Sequence, residues 1–262
     1  MFSTALVSSR SISPAIASRV ALGTRADRQA DVIASQRVVD TLHLLQERLA
    51  PRRRVVHAGD VLYGAGEGFA HLYILSAGFF KMINVSADGR EQVVSIKFRG
   101  DWLGFDGIAG GTYTCDAVAM DTSEVWVVGY DDLLAACRDC PQLLTSLHAA
   151  MSRQIDHDRE SMMSLCTLPA DARVAEFLRR WADSLARGGL RSDQITLRMT
   201  RAEIGNYLGM TLETVSRALS RLARAGLICF VGNGRREIRL PGLTALGAFI
   251  QDCLPAERAT LQ

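Results

Sequence analysis

The stretch 201–219, RAEIGNYLGMTLETVSRAL, limits the possible folds of this chain more than any other. Apolar or small residues fall at Ile204, Gly205, Leu208, Met210, Val215 and Ala218, with Gly209 at a corner between them. Ile204 and Leu208 lie one helical turn apart, Val215 and Ala218 share a face of the following segment, and Gly205 lets two backbones approach closely. The spacing predicts two short helices meeting at a tight turn. A helical hairpin buried in a core would show the same apolar spacing, but it leaves the outward run E-T-x-S-R without a purpose. Read as a helix-turn-helix, the second helix begins near Thr211 and enters a DNA major groove, with Glu213, Thr214, Ser216 and Arg217 facing the bases. Thr200 and Glu203 have the spacing of a capping box for the first helix, and Thr211 or Thr214 is placed to cap the second.

The flanking sequence supports a nucleic-acid partner through its charge. The whole chain of 262 residues carries only +2. Residues 171–240, however, hold thirteen Arg against seven Asp or Glu, so the remainder is acidic by about four charges. The basic excess surrounds the helix-turn-helix, where phosphate contacts need it. Downstream, GLICFVGNGRREIRL reads as a β-hairpin turning at Gly232, Asn233 and Gly234, a wing that brings Arg235 and Arg236 to phosphate. Residues 170–240 thus read as a helix, a short strand (ITLRM), the helix-turn-helix and the wing.

Upstream, the pattern changes twice. Residues 31–49 suit an amphipathic helix with Val38, Leu42, Leu45 and Leu49 on one side, ended by Pro51. From residue 53 to about 130, seven or eight short β-rich runs are divided by turn signals at Gly59-Asp60, Ala77-Gly78, Asp88-Gly89 and Gly100-Asp101, as in a sandwich or barrel. The glycine-rich run 104–111 is helical at best. Cys140-Pro141 then permits a new helix to start. In it Leu144, His148, Met151, Ile155, Asp158, Met162 and Leu165 recur at alternating gaps of four and three, a heptad seam. The chain offers no second long helix of this kind, so the seam is expected to pair with its copy in a second subunit; burial on the chain's own barrel is the alternative. Asp158 interrupts the seam. Either it faces its own copy and weakens the dimer by like-charge repulsion, or it turns outward to pair with Arg159 or Arg153.

The expected architecture is α+β, with an N-terminal extension over 1–34, a β-roll over 35–136, a dimerisation helix over 137–168, a winged helix-turn-helix over 169–246 and a tail over 247–262. The extension, with arginines, serines and no acid up to residue 26, is expected to be disordered, although an organelle transit peptide has the same composition. No window reaches the roughly eighteen apolar residues of a membrane span, so a cytoplasmic protein without membrane contact is expected. The six cysteines are scattered, and Cys137 and Cys140 alone form a C-x-x-C. A structural zinc or an iron–sulfur cluster would need two further ligands from distant positions. Cys115, Cys137 and Cys140 remain weak candidates for redox thiols, and no resident cofactor or metal is expected. The chain has no nucleophile motif, P-loop or metal-spaced set, so an enzyme is not expected. A protein-binding adaptor on the same scaffold is the competing class, and salt dependence of binding separates the two.

These residues resemble the Crp/Fnr superfamily of bacterial transcription regulators, and within it the Fnr branch. The resemblance covers roughly residues 35–245 and is strongest in TRAEIGNYLGMTLETVSR, in GDWLGFDGI and in the helix from Met151 to Leu165. It implies a homodimer whose subunits each have a cyclic-nucleotide-binding-like β-roll, a long dimerisation helix and a winged helix. It also implies a palindromic DNA site, contact with RNA polymerase and control of anaerobic, micro-oxic or redox-related genes. Glu213, Ser216 and Arg217 match the Fnr-type E-x-x-S-R pattern, which implies the half-site TTGAT in TTGAT-N4-ATCAA. The chemistry agrees, since Glu accepts from cytosine N4 and Arg grips guanine O6 and N7. The sensor half departs from the family. Residues 1–50 contain no cysteine, and Trp126 stands where the fourth cluster ligand of an oxygen sensor is expected. GFDGIAGGTYTCDA lacks the arginine that holds a cyclic phosphate. Three inputs stay open: control by abundance alone; redox at the named thiols; or haem or a small effector between roll and helix, with His148 or His157 as ligand.

Overall fold

The computed structural model describes residues 25–232 and 235–253. The expected extension therefore lies outside the described residues up to residue 24, as do Asn233 and Gly234 of the wing turn and residues 254–262. Helix α1, Arg25–Leu49, starts within the stretch expected to be disordered. Its Leu42 and Leu45 are buried against the roll. The chain then leaves the helix at Ala50, which has a positive φ of 42°.

Eight short strands follow: β1 (Arg52–Val56), β2 (Val61–Tyr63), β3 (His71–Ala77), β4 (Phe80–Val85), β5 (Glu91–Lys97), β6 (Trp102–Leu103), β7 (Asp116–Ala119) and β8 (Ser123–Gly129). They form two four-stranded antiparallel sheets, ordered β1-β8-β3-β6 and β2-β7-β4-β5. Strand alternation explains why the middle of β3, Leu72 to Leu75, is apolar on both faces. Tyr73 and Leu75 point into the roll with Tyr63, Phe80 and Val125, while Leu72 and Ile74 point out against the helices with Trp102, Trp126 and Leu133. The run 104–111 contributes one 3₁₀ turn, Phe105–Gly107.

Helix α2, Tyr130–Asp139, and helix α3, Pro141–Thr167, come next. The long helix begins at Pro141 rather than at residue 137, because Cys137 belongs to α2 and Cys140 caps the start of α3. Proline suits this first turn, where its missing N–H is not needed. Leu143, Leu147 and Ala150 bury one face of α3 against the roll.

The C-terminal domain comprises α4 (Ala170–Arg187), β9 (Gln194–Thr196), α5 (Arg201–Leu208), α6 (Leu212–Arg224), β10 (Cys229–Val231), β11 (Glu237–Arg239) and α7 (Leu243–Cys253). Its small sheet is ordered β10-β11-β9. Helix α7 buries Leu246 and Ile250 in the same core as Trp181, Leu178 and Ile195. The domain therefore continues past the boundary expected at residue 246. That core also takes Val93, Ile96 and Phe98 from the roll, with Phe98 and Trp181 edge to face at 5.2 Å between ring centroids. Roll and winged domain share one apolar cluster.

Candidate nucleic-acid interface

The turn between α5 and α6 is built from local chemistry. Thr200 accepts from the Glu203 N–H at 3.2 Å, and its own N–H donates to Glu203 Oε2 at 2.7 Å, completing the expected capping box. Gly209 ends α5 in the left-handed region at φ 62°. A Cβ on Gly205 would lie 2.5 Å from the Met210 carbonyl oxygen, so glycine is required for the two helices to close. Thr211 caps α6, accepting from the Thr214 N–H at 3.2 Å. Its hydroxyl is therefore engaged in the fold rather than aimed outward. Val215, Ala218, Leu219 and Leu222 are buried, which turns Glu213 and Arg217 to the exposed face and leaves Thr214 and Ser216 half-buried. The backbone N–H at the helix start and the Thr211 hydroxyl hold the Glu213 carboxyl below its usual range. Glu213 is thus an anion, able to accept from an amino group.

The wing stands beside this face. Arg235 and Arg236 are exposed and share a cleft with Ser216, Ser220, Thr200 and Arg201. The Arg235 guanidinium lies 5.5 Å from the Phe230 ring centroid. Arg201, which sequence reasoning did not single out, donates through Nη2 to the Arg235 carbonyl at 2.6 Å and ties α5 to the wing. Burial and the neighbouring Arg235 charge lower the pKa of Arg201. The structure thus brings Ser216, Arg235 and Arg236 to one cleft, with Glu213 and Arg217 exposed on the same helix as Ser216. Arg221, also on α6, is turned to Asp171 of α4 at 2.6 Å.

On α3 the expected seam lies next to the buried face instead of on it. Leu144, Ile155, Met162 and Leu165 are exposed, Met162 to 67%; His148 is also exposed and Met151 half-buried. The chain's own roll covers Leu143, Leu147 and Ala150, one position before the seam. Asp158 is bound by Gln154 Nε2 at 2.7 Å and lies 3.8 Å from His157 Nδ1. Gln154 stands where an arginine partner was expected, because a helix brings residues four apart together. Burial raises the Asp158 pKa, but hydrogen bonds from His157 and Gln154, with the Lys97 charge nearby, outweigh it and hold the carboxyl below its usual range.

Between roll, α3 and winged domain lies a cavity of about 830 Å³, lined among others by Lys97, Cys115, Gln154, Asp158, Arg173 and Tyr207. Lys97 is buried, and its amine donates to Gln154. Burial lowers its pKa against the opposing charges of Asp101, Asp158 and Asp106. Asp106 accepts from the Thr114 N–H at 2.8 Å, the Thr114 hydroxyl at 3.1 Å and the Cys115 thiol at 3.4 Å. The chain's own carboxylate thus takes the donors of this loop. Burial and Asp106 push the Cys115 thiol up to about 12, so it stays protonated and lacks the thiolate that redox chemistry uses. Cys137 and Cys140 are packed among Leu133, Leu143 and Leu147, and burial raises the Cys137 pKa. Trp126 is buried on β8 with the Arg53 guanidinium 5.4 Å from its ring centroid, and its indole offers no sulfur to a cluster. His157 lines a second cavity, of about 520 Å³, between α1, the roll and α3.

Residues 172–249 match the family profile described as Crp-like helix-turn-helix domain, and residues 53–140 that described as Cyclic nucleotide-binding domain. The loop around Asp106 does not fit a cyclic phosphate, since its Thr114 N–H and hydroxyl already donate to the chain's own carboxylate. The chain is similar to the Anaerobic regulatory protein of Pasteurella multocida, with 32% identity over 186 residues, 71% of this chain and 68% of that protein. It is 31% identical over 186 residues to the Fumarate and nitrate reduction regulatory protein of Escherichia coli K12, covering 71% of this chain and 74% of that protein. Among solved structures, FixK2 from Bradyrhizobium japonicum matches with a TM-score of 0.69 at 28% identity, covering 79% of this chain and 99% of its own. With the helix-turn-helix, the wing and the roll in one chain, and with these relatives, the protein belongs to the Crp/Fnr family of transcription regulators.

Proposed function

We propose that the protein acts in the cytoplasm as a homodimer that binds TTGAT-N4-ATCAA-like palindromes and contacts RNA polymerase to control genes of oxygen-limited or redox metabolism. The observation that carries this reading is the division of α6 into a buried face and an outward face bearing Glu213 and Arg217. A carboxylate that accepts from cytosine N4 and a guanidinium that grips guanine O6 and N7 read one G·C pair from both strands. Ser216 adds a short hydroxyl contact between them, and Thr214 lies on the rim of the same face. Thr211 holds the helix start and serves the base-reading face through it. Arg235 and Arg236 supply phosphate contacts from the wing. The exposed apolar seam on α3 supports pairing with a second copy, which gives the two-fold symmetry that a palindrome requires. The names of the relatives support the link to anaerobic regulation.

The input side of this proposal is control by abundance. Cys115 is held as a thiol, and Asp106 opposes an anionic effector. The test is binding of the purified protein, in air and with no added effector, to a labelled TTGAT-N4-ATCAA duplex beside one with both G·C pairs replaced. Tight, selective binding is the expected result. Selectivity that emerges only after reduction, or with haem or cell extract, would replace abundance by a signal. No selectivity under any condition would sink the assignments of Glu213, Ser216 and Arg217.

A further inference from the structure

Strand β5 is an edge of its sheet, with β4 as its one neighbour there. An edge strand presents unpaired N–H and C=O groups. On β5 a side chain of the helix-turn-helix fills them. The Val93 N–H donates to Asn206 Oδ1 at 2.6 Å, and Asn206 Nδ2 donates to the Glu91 carbonyl at 2.8 Å. One carboxamide therefore pairs with two β5 residues on the same side of the strand, as a peptide group of a neighbouring strand would. Gln92 Nε2 adds a bond to the Asn206 carbonyl at 2.6 Å. One turn earlier on α5, Glu203 accepts from Lys81 of β4. The capping glutamate of the first helix is thus also its tether to the roll. Ile204 lies in the apolar cluster that includes Val93, with Tyr207 packed against it.

We propose that Asn206 is a positioning residue for spacer selectivity, fixing the orientation of the helix-turn-helix on the roll and so the separation of the two recognition helices in the dimer. Because α3 is carried by the same roll, an α5 docked on β5 gives α6 one fixed place relative to the dimer axis. The recognition face remains open in this docked state, since Glu213 and Arg217 are exposed. Asn206 therefore acts on where the reading head sits, and the base-reading side chains act on what it reads. The inference rests on the dimer and half-site reading above, and the test below separates the two.

The experiment compares the full chain with Asn206→Ala and Asn206→Asp on TTGAT palindromes whose spacer is kept, or lengthened or shortened by one or two base pairs. A duplex with a single half-site, with and without its G·C pair, is run in parallel. The wild type should prefer one spacer sharply. Asn206→Ala should bind that duplex about tenfold more weakly and lose a similar factor of spacer preference, with its choice at the single half-site unchanged. Asn206→Asp keeps the acceptor for Val93 but loses the donor to Glu91, and should fall between the two. Amide exchange should show Val93 opening faster in Asn206→Ala while the cores of both domains stay protected, which separates undocking from unfolding. A variant that retains the wild-type spacer preference, loses affinity equally at every spacing, or binds more tightly overturns the proposal. A wild type that ignores the G·C pair at the single half-site overturns the reading beneath it as well.

Discussion

Arg217 and Lys97 show how differently two cations can serve the same chain. Arg217 is exposed on a helix whose other face is packed into the core, and on the proposed reading its guanidinium works on DNA rather than in that core. Arg217→Ala should weaken binding by about 1–3 kcal/mol per half-site and relax selection at the G·C pair, measured by titration against duplexes varied at that pair. A uniform loss on all sequences would make Arg217 a phosphate contact instead. Lys97 is the reverse case, buried at the cavity wall with its amine turned to Gln154. Burial lowers its pKa, so between its folded value and the ordinary lysine value the unfolded chain binds the proton and the folded chain releases it. The sign is therefore a penalty at full strength below the folded pKa that is relieved as pH rises through that window. Lys97→Met should melt higher than the wild type at low pH, with the difference shrinking as pH climbs. Parallel melting curves across pH would show that Lys97 carries no such penalty.

Helix α3 places two neighbouring faces under different demands. Leu143 and Leu147 belong to the roll, and Leu144, Ile155 and Met162 face outward. Among these outward residues Asp158 sits as an anion, its carboxyl held below the usual range by hydrogen bonds from His157 and Gln154. In a pair of such helices its copy repels it. Asp158→Ala should tighten dimerisation and, with it, palindrome binding, seen as a lower dissociation constant in sedimentation; an unchanged constant would remove the repulsion. Much at this scale was legible from sequence because its causes are local. Thr200 with Glu203, Gly205 with Gly209, and Pro141 each act within a turn of their own position, and the structure places them accordingly. The partners of Asp158 were not legible, since several residues within one turn compete for a carboxylate and side-chain packing decides among them. The bond from Asn206 to Val93 was less legible still. It joins residues 113 positions apart, and nothing in GNYLG distinguishes a carboxamide meant for DNA from one meant for a strand edge. The thiol of Cys115 looked open to redox chemistry until the fold set Asp106 against it.

Across the whole molecule, the roll contributes Val93, Ile96 and Phe98 to the core of the winged domain, and Arg99 adds a hydrogen bond to the Gly188 carbonyl at 2.8 Å. A chain built in this way holds its winged domain firmly, and on the proposed palindrome it would reach one of the two half-sites. In the proposed dimer, affinity for the full site comes from linking two heads, which makes the second contact effectively intramolecular and multiplies binding by about 10²–10⁴ over a single half-site. The exposed seam is the surface available for that link, and a charge at its middle tests it. Ile155 is 48% exposed in the subunit, so Ile155→Asp should change the stability of an isolated subunit by no more than about 0.5 kcal/mol. In the dimer the same substitution would bury two new carboxylates near the existing pair at Asp158, and like charges in a partly desolvated contact repel. The variant should therefore sediment as a monomer and bind the palindrome no better than a single half-site, while still preferring the half-site that keeps its G·C pair. Should Ile155→Asp remain dimeric with full palindrome affinity, the pairing surface lies elsewhere on the chain.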